Sequence, residues 1–138
     1  MNLLALGQKV LAAQPFSALL GTEIILFTPK KTELALNITD EIKQQHGFVH
    51  GGVLSYLADN ALTFAGGAAL GGGGVVTNEM KINYLRPAVG DRLIARAEAI
   101  YAGRSQAVCR CDVYAVKDGV ESLCAAAQGT IAALPAPK

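Results

Sequence analysis

Tryptophan is absent from this 138-residue sequence, and charged side chains make up only 17% of it. The net charge of +1 gives no electrostatic case for nucleic-acid binding, since the few basic residues are not clustered. No apolar run has the length of a membrane span once its glycines and polar residues are counted. The three cysteines are odd in number and lack metal-ligand spacing, so we interpret them as buried residues in a reducing, cytoplasmic compartment.

The N-terminal run from Leu3 to Ala13 has no basic region before it, and Gln8 and Lys9 interrupt its apolar centre. It is therefore predicted to be a short amphipathic helix rather than a signal peptide. The chain is 51% hydrophobic with a mean hydropathy of +0.33. Such a composition suggests that part of the surface is buried against a second subunit. The length fits one domain over residues 1–138, with residues 1–21 forming a helix and a connection.

Apolar and polar residues alternate in most of the rest of the chain, which predicts β-strands. Two short strands are expected over 22–28 and 32–39, and three or four longer ones over 75–85, 92–101, 106–116 and 120–133. In the first of the longer strands, this alternation places Thr77, Glu79 and Lys81 on the more polar face. The tail from Pro135 is expected to be frayed.

Residues 53–70 are Ala- and Leu-rich, contain no proline and are apolar on nearly every face, so they predict a long buried helix. The glycines at 66–67 and 71–74 are expected to end it. Together these elements predict an α+β fold in which an antiparallel sheet wraps around one central helix. Because such a sheet leaves one side of the helix partly bare, pairing with a second copy is expected.

Two features of this helix carry chemistry. Asp59 is the only formally charged residue between Lys43 and Glu79, and a carboxylate among apolar residues needs either a structural partner or a wet pocket. Gly51 and Gly52 place unhindered N–H groups at the positive end of the helix dipole, where they could stabilise an oxyanion or simply form a flexible helix entry. Eight helical steps separate Gly51 from Asp59, a rise of about 12 Å. If both act on one carbonyl, they must come from two subunits across a two-fold axis.

The segments Gln44–Gly52 (QQHGFVHGG), Leu57–Ala61 (LADNA) and Val76–Pro87 (VTNEMKINYLRP) resemble the PaaI-type thioesterases of the hotdog superfamily. This resemblance implies hydrolysis of an acyl-CoA thioester by a homodimer, or a pair of dimers, with no metal and no cofactor. Gly51 would donate its N–H to the thioester carbonyl with His50 beside it, and Asp59 of the facing subunit would be general base or nucleophile. Thr77 would help to orient the water. Gln44 stands where the family commonly has an asparagine, so its hydrogen bond to the carbonyl is expected to be displaced.

Further candidate residues concern substrate binding. The helix residues Gly52, Tyr56, Asn60 and Thr63 are expected to line the substrate pocket. Arg86 and Arg104 could meet CoA phosphates, although a solvated surface charge explains either equally well. A metal pair of His46 and His50 is not expected, since no third ligand lies at a fitting interval. Two alternatives to hydrolysis remain open, namely a hotdog dehydratase or hydratase and a non-catalytic acyl-thioester-binding protein.

Overall fold

The computed structural model describes residues 2–135 and consists of one antiparallel sheet, one long helix against it and two short N-terminal helices. Most of the tail that was expected to fray lies outside these residues. The helices are α1 (Leu3–Ala12), α2 (Pro15–Leu20) and α3 (Gly51–Ala69), with a 3₁₀ turn at Asp40–Ile42. The strands are β1 (Glu23–Phe27), β2 (Thr32–Asn37), β3 (Val75–Tyr84), β4 (Arg92–Ala102), β5 (Gln106–Lys117) and β6 (Val120–Ala133).

The six strands lie in the order β1-β2-β4-β5-β6-β3, which makes β1 and β3 the two edges of the sheet. The inner face packs on α3 through mostly small side chains, as their alternation along the strands predicted. Fully buried residues on this face include Leu34, Leu36, Leu93, Ala95, Ala107, Cys109 and Val113. Small residues let the sheet curl closely around one helix, so the predicted architecture of a sheet around a central helix is confirmed.

The central helix differs from the predicted range of 53–70 at both ends. It begins at Gly51, because the His50 side chain caps its first turn, and it ends at Ala69 with Leu70 as C-cap. Gly66 does not interrupt it, contrary to expectation. A Cβ at Gly66 would lie 2.6 Å from the Ile131 Cβ on β6, so this glycine allows helix and sheet to approach closely.

The segment predicted as a plain connection before Gly21 contains the helix α2. Its start suits Pro15, since proline at the first helical position has its φ angle already set and loses no hydrogen bond. Its end suits Gly21, which adopts a left-handed φ of 73°. A second short helix, α2, therefore packs against the side of α3.

The edge strand β3 contains a β-bulge that reverses the predicted orientation of its first half. Thr77 and Glu79 oppose consecutive residues of β6, so Asn78 is an extra residue. Thr77 is half-buried beside Asp59, whereas Glu79 and Lys81 are exposed. The prediction that placed Thr77 on the polar face with Glu79 and Lys81 is therefore wrong.

The outer face of the sheet carries an ionic cluster around Arg96 of β4. Its guanidinium donates to Glu33 at 3.1 Å and to both carboxylate oxygens of Glu121 at 2.7 and 2.8 Å. It also lies 5.0 Å from the centre of the Tyr114 ring. The hydrogen bond from Arg96 lowers the pKa of Glu121 below its ordinary value. This cluster joins β2, β4 and β6 on the face opposite to α3.

Candidate active site

The N-terminus of α3 presents one free backbone donor. The Nδ1 atom of His50 accepts from the Gly52 N–H at 2.8 Å, and the His50 carbonyl accepts from the Val53 N–H at 2.9 Å. The Gly51 N–H has no acceptor among residues 2–135. A Cβ at Gly51 would lie 3.5 Å from the Tyr84 ring, so this ring flanks the donor. Of the two glycines expected to supply donors, only Gly51 keeps an N–H available for a substrate oxygen.

The loop before the helix turns the Gln44 side chain toward its own backbone. The Oε1 atom of Gln44 accepts from the His46 N–H, while the Gln44 carbonyl accepts from the Gly47 N–H at 3.0 Å. Gly47 adopts a φ of 85°, which glycine alone among the standard residues adopts freely. The Gln44 carbonyl and amide oxygens are thus used within the loop. His46 is exposed, and residues 2–135 contain no cluster of three His, Cys, Asp or Glu side chains suited to a metal ion.

Asp59 lies at the middle of α3 and is half-buried. Its Oδ1 atom accepts from the Thr77 hydroxyl at 2.6 Å, a short bond typical of a charged acceptor. None of the ion pairs within residues 2–135 includes Asp59. The carboxylate is therefore held in place by a neutral donor and keeps its second oxygen for chemistry.

Asp59 lines a cavity of about 580 Å³ between α3 and the N-terminal helices. The apolar wall includes Phe27 and Phe64, whose rings stack edge to face at 5.4 Å. Thr63 lines the cavity too, but its hydroxyl donates to the Asn60 carbonyl at 2.7 Å. A carboxylate that faces a cavity of this size can act on a bound molecule.

Tyr56 and Asn60 line the same cavity, yet their polar atoms are already engaged. The Tyr56 hydroxyl lies 2.6 Å from the Ser17 hydroxyl and donates to Thr22 at 2.8 Å. The Asn60 amide donates to Gln14 at 3.0 Å and to Ser17 at 3.2 Å. These bonds hold α2 against α3. Both residues thus shape the cavity wall, and the sequence analysis missed their structural partners because these lie 34 or more residues away.

The two arginines expected to meet phosphates lie at opposite ends of the sheet. Arg86 is exposed just after β3, two residues beyond Tyr84, whose ring flanks Gly51. Arg104 is exposed in the β4–β5 turn, where the next residue, Ser105, accepts from the N–H of Ala133. Ala133 is the last residue of β6 and pairs with Val75 at the start of β3. One chain therefore does not bring them together.

Tyr84 was not among the predicted site residues, because the alternation of β3 placed it inside. Tyr84 does share a face with the core-packed Met80 and Ile82, but it is the last residue of β3 and is 54% exposed beside Gly51. The cysteines take no part in the site. Burial raises the pKa of both the Cys109 and the Cys124 thiols to about 11, so they stay protonated at neutral pH.

These observations define a class of protein, an α+β domain with an acid and a helix-terminal N–H donor on one buried helix. Residues 46–122 match the family model described as Thioesterase superfamily, and the chain belongs to that family. The family resemblance and the hotdog fold are thereby confirmed, and membership makes the protein a hydrolase of the thioesterase or esterase type.

Known proteins agree with this assignment. A 1,4-dihydroxy-2-naphthoyl-CoA hydrolase of Listeria monocytogenes is 30% identical over 64% of this chain and 73% of its own. A thioesterase family protein from Silicibacter pomeroyi superposes with a TM-score of 0.88 at 36% identity, over 91% of this chain and 93% of its own. The E. coli PaaI protein shares the fold, with a TM-score of 0.81 at 24% identity over 94% and 91% of the two chains. None of the helices within residues 2–135 is long and apolar enough to cross a membrane.

Proposed function

We propose that this protein hydrolyses an acyl-CoA thioester to the free acid and CoA. The observation that carries the proposal is the Thr77–Asp59 hydrogen bond at the wall of the cavity, where the carboxylate has a donor but no cation. An ionised carboxylate in this setting can take a proton from a water or attack the carbonyl itself. The Listeria relative is a 1,4-dihydroxy-2-naphthoyl-CoA hydrolase, which supports CoA as the thiol.

In this mechanism the Gly51 N–H polarises the thioester carbonyl and stabilises the oxyanion of the tetrahedral intermediate. Its position at the N-terminus of α3 and its lack of an acceptor in the described chain support this role. Asp59 is the base or the nucleophile, and Thr77 orients the carboxylate or the attacking water. The acyl group occupies the cavity lined by Tyr56, Asn60 and Thr63, while Arg86 and Arg104 are candidates for the CoA phosphates.

The site requires two subunits. All residues from Gly51 to Asp59 are helical, so the two lie about 12 Å apart along the axis in one chain. They reach one carbonyl only if two α3 helices lie side by side in a homodimer, which could pair further into a dimer of dimers. No metal or cofactor is required for these steps.

The experiment is the release of free thiol from a panel of acyl-CoA substrates of different chain length and aryl content. Asp59→Asn keeps the side-chain shape and removes the charge, so we expect kcat to fall roughly a hundred- to ten-thousandfold. The three cysteines are buried and free, and blocking them beforehand in a control sample measures any background thiol signal. Wild-type turnover in a folded, dimeric Asp59→Asn protein would exclude the proposed mechanism.

The dehydratase alternative is less well supported. It needs a histidine that acts as a base, whereas the Nδ1 atom of His50 is occupied by the Gly52 N–H. Incubation of the protein with 2-enoyl- and 3-hydroxyacyl-CoA tests this alternative directly.

A further inference from the structure

The His50 side chain lies over the first turn of α3, and its position explains why residue 52 is a glycine. Its Nδ1 atom accepts from the Gly52 N–H at 2.8 Å. A Cβ at Gly52 would lie 3.0 Å from Nδ1 and 3.2 Å from Cε1 of the same imidazole. These distances are shorter than ordinary van der Waals contacts, so the imidazole position and the glycine depend on each other.

This contact selects one tautomer of the neutral ring. A nitrogen that accepts from an N–H carries no proton, so a neutral His50 has its hydrogen on Nε2. The imidazole then satisfies one of the orphan donors at the N-terminus of α3, as Ser, Asn or Asp does at most N-caps. The Gly51 N–H is left as the free donor of the pair.

We propose that His50 is a positioning residue that holds the Gly51 N–H toward the thioester carbonyl by capping Gly52. This inference rests on the proposed function, and it assigns the imidazole no contact with the substrate. A side chain that caps equally well should therefore preserve activity in place of the histidine. A side chain that cannot cap should lower it.

Three variants test this inference. His50→Ala removes the cap, and we expect kcat to fall about tenfold with KM changed less than about twofold. His50→Asn supplies an oxygen acceptor at the same position, and we expect kcat within about threefold of wild type. His46→Ala is the matched control, because His46 is an exposed histidine in the same loop.

A coupling experiment uses Gly52. Gly52→Ala pushes the imidazole away in the wild-type protein, so we expect about a tenfold loss of kcat. In the His50→Ala background the same substitution has no ring to displace and should change kcat less than about threefold. Additive losses, or equal losses in His50→Ala and His50→Asn, would overturn the proposal, since they point to a direct role for the imidazole.

A spectroscopic measurement separates this proposal from the proposed function. The ¹⁵N shifts of the His50 ring should show an unprotonated Nδ1 and a protonated Nε2, and the Gly52 amide should exchange faster in His50→Ala but not in His50→Asn. A protonated Nδ1 in the neutral ring overturns the cap. An inactive wild-type protein with the expected ring shifts would overturn the proposed function and leave the cap intact.

Discussion

Gly51→Pro removes a single N–H from the proposed oxyanion site and leaves the fold in place. Proline is favoured at the first position of a helix, which is where Gly51 lies. The preceding residue, His50, has φ −59° and ψ 134°, a conformation that proline tolerates in its neighbour. No backbone hydrogen bond within residues 2–135 uses the Gly51 N–H, so none is lost.

The expected loss follows from the role of this donor. Removing one oxyanion-hole donor costs about 2.7–4 kcal/mol, which lowers kcat roughly a hundred- to a thousandfold. Gly51→Ala is the matched control, because it keeps the N–H and its Cβ would lie 3.5 Å from the Tyr84 ring, an ordinary contact. We expect this variant to stay within about threefold of wild type. Thiol release measures kcat, and thermal unfolding followed by circular dichroism checks that both variants fold. A Gly51→Pro protein with nearly full kcat would refute the reasoning.

The same variant tests whether the donor and the acid come from different subunits. Gly51→Pro and Asp59→Asn are each expected to be inactive, but a heterodimer of the two has one site with both native residues. Random exchange makes about half of the dimers mixed, so about a quarter of wild-type activity should return. If both residues of one chain formed the site, mixing would restore nothing. The two proteins, with different tags, are co-expressed or refolded together, and size-exclusion chromatography confirms the dimers.

Three further predictions concern the Thr77 hydroxyl, the outer ionic cluster and the glycines of α3. Thr77→Val removes the donor to Asp59, so steady-state kinetics should show kcat falling roughly ten- to hundredfold. Thr77→Ser keeps the hydroxyl and should have a kcat close to that of wild type. Equal kcat values for the two variants would contradict this prediction. Glu121→Gln should lower the free energy of unfolding in urea at pH 7 by less than about 1 kcal/mol, because the pair is partly exposed. Since its arginine partner lowers the pKa of Glu121, this stability is present above the ordinary carboxyl value of 4.5 and is lost as the pH falls through the folded-state pKa. Wild type and variant should therefore converge at pH values below the folded-state pKa, and a constant difference would contradict the assignment. Gly66→Ala should lower the free energy of unfolding by about 1–3 kcal/mol, because its Cβ would lie 2.6 Å from the Ile131 Cβ of β6. Gly67→Ala should raise the free energy of unfolding by about 0.5–1 kcal/mol, because the nearest atom to its Cβ is 3.6 Å away. Similar urea midpoints for the two variants would refute this.

Most of the fold could be predicted because its signals are local. Alternation along 92–101 and 106–116 identified the buried faces of β4 and β5, and the apolar character of the central segment identified α3. The helix α2 was missed because six residues carry no periodic pattern. The Ser17 hydroxyl of α2 bonds with the Tyr56 hydroxyl and accepts from the Asn60 amide, about 40 positions away, and single-sequence patterns contain no such information.

The candidate site was predicted in part for the same reason. Asp59 and Gly51 stand out because a charge and a glycine pair are unusual in an apolar helix. The acceptor role of His50 and the loop-bound side chain of Gln44 depend on backbone geometry, which residue identity does not reveal. Tyr84 has the predicted orientation, but alternation does not reveal that the end of β3 lies beside Gly51. Nor does it reveal the irregularity at Asn78, which turns Thr77 toward Asp59.

That irregularity connects the fold to the proposed chemistry. Without the extra residue Asn78, the first half of β3 would be turned over, and the Thr77 hydroxyl would point away from Asp59. The bulge lies on an edge strand that exposes the large hydrophobic side chains of Val76 and Tyr84. Such side chains are unusual on a free edge and suit contact with a second copy. The proposed homodimer would account for the apolar composition, the edge strand and the separation of donor from acid along α3, since each chain would carry two half-sites and the dimer would complete both.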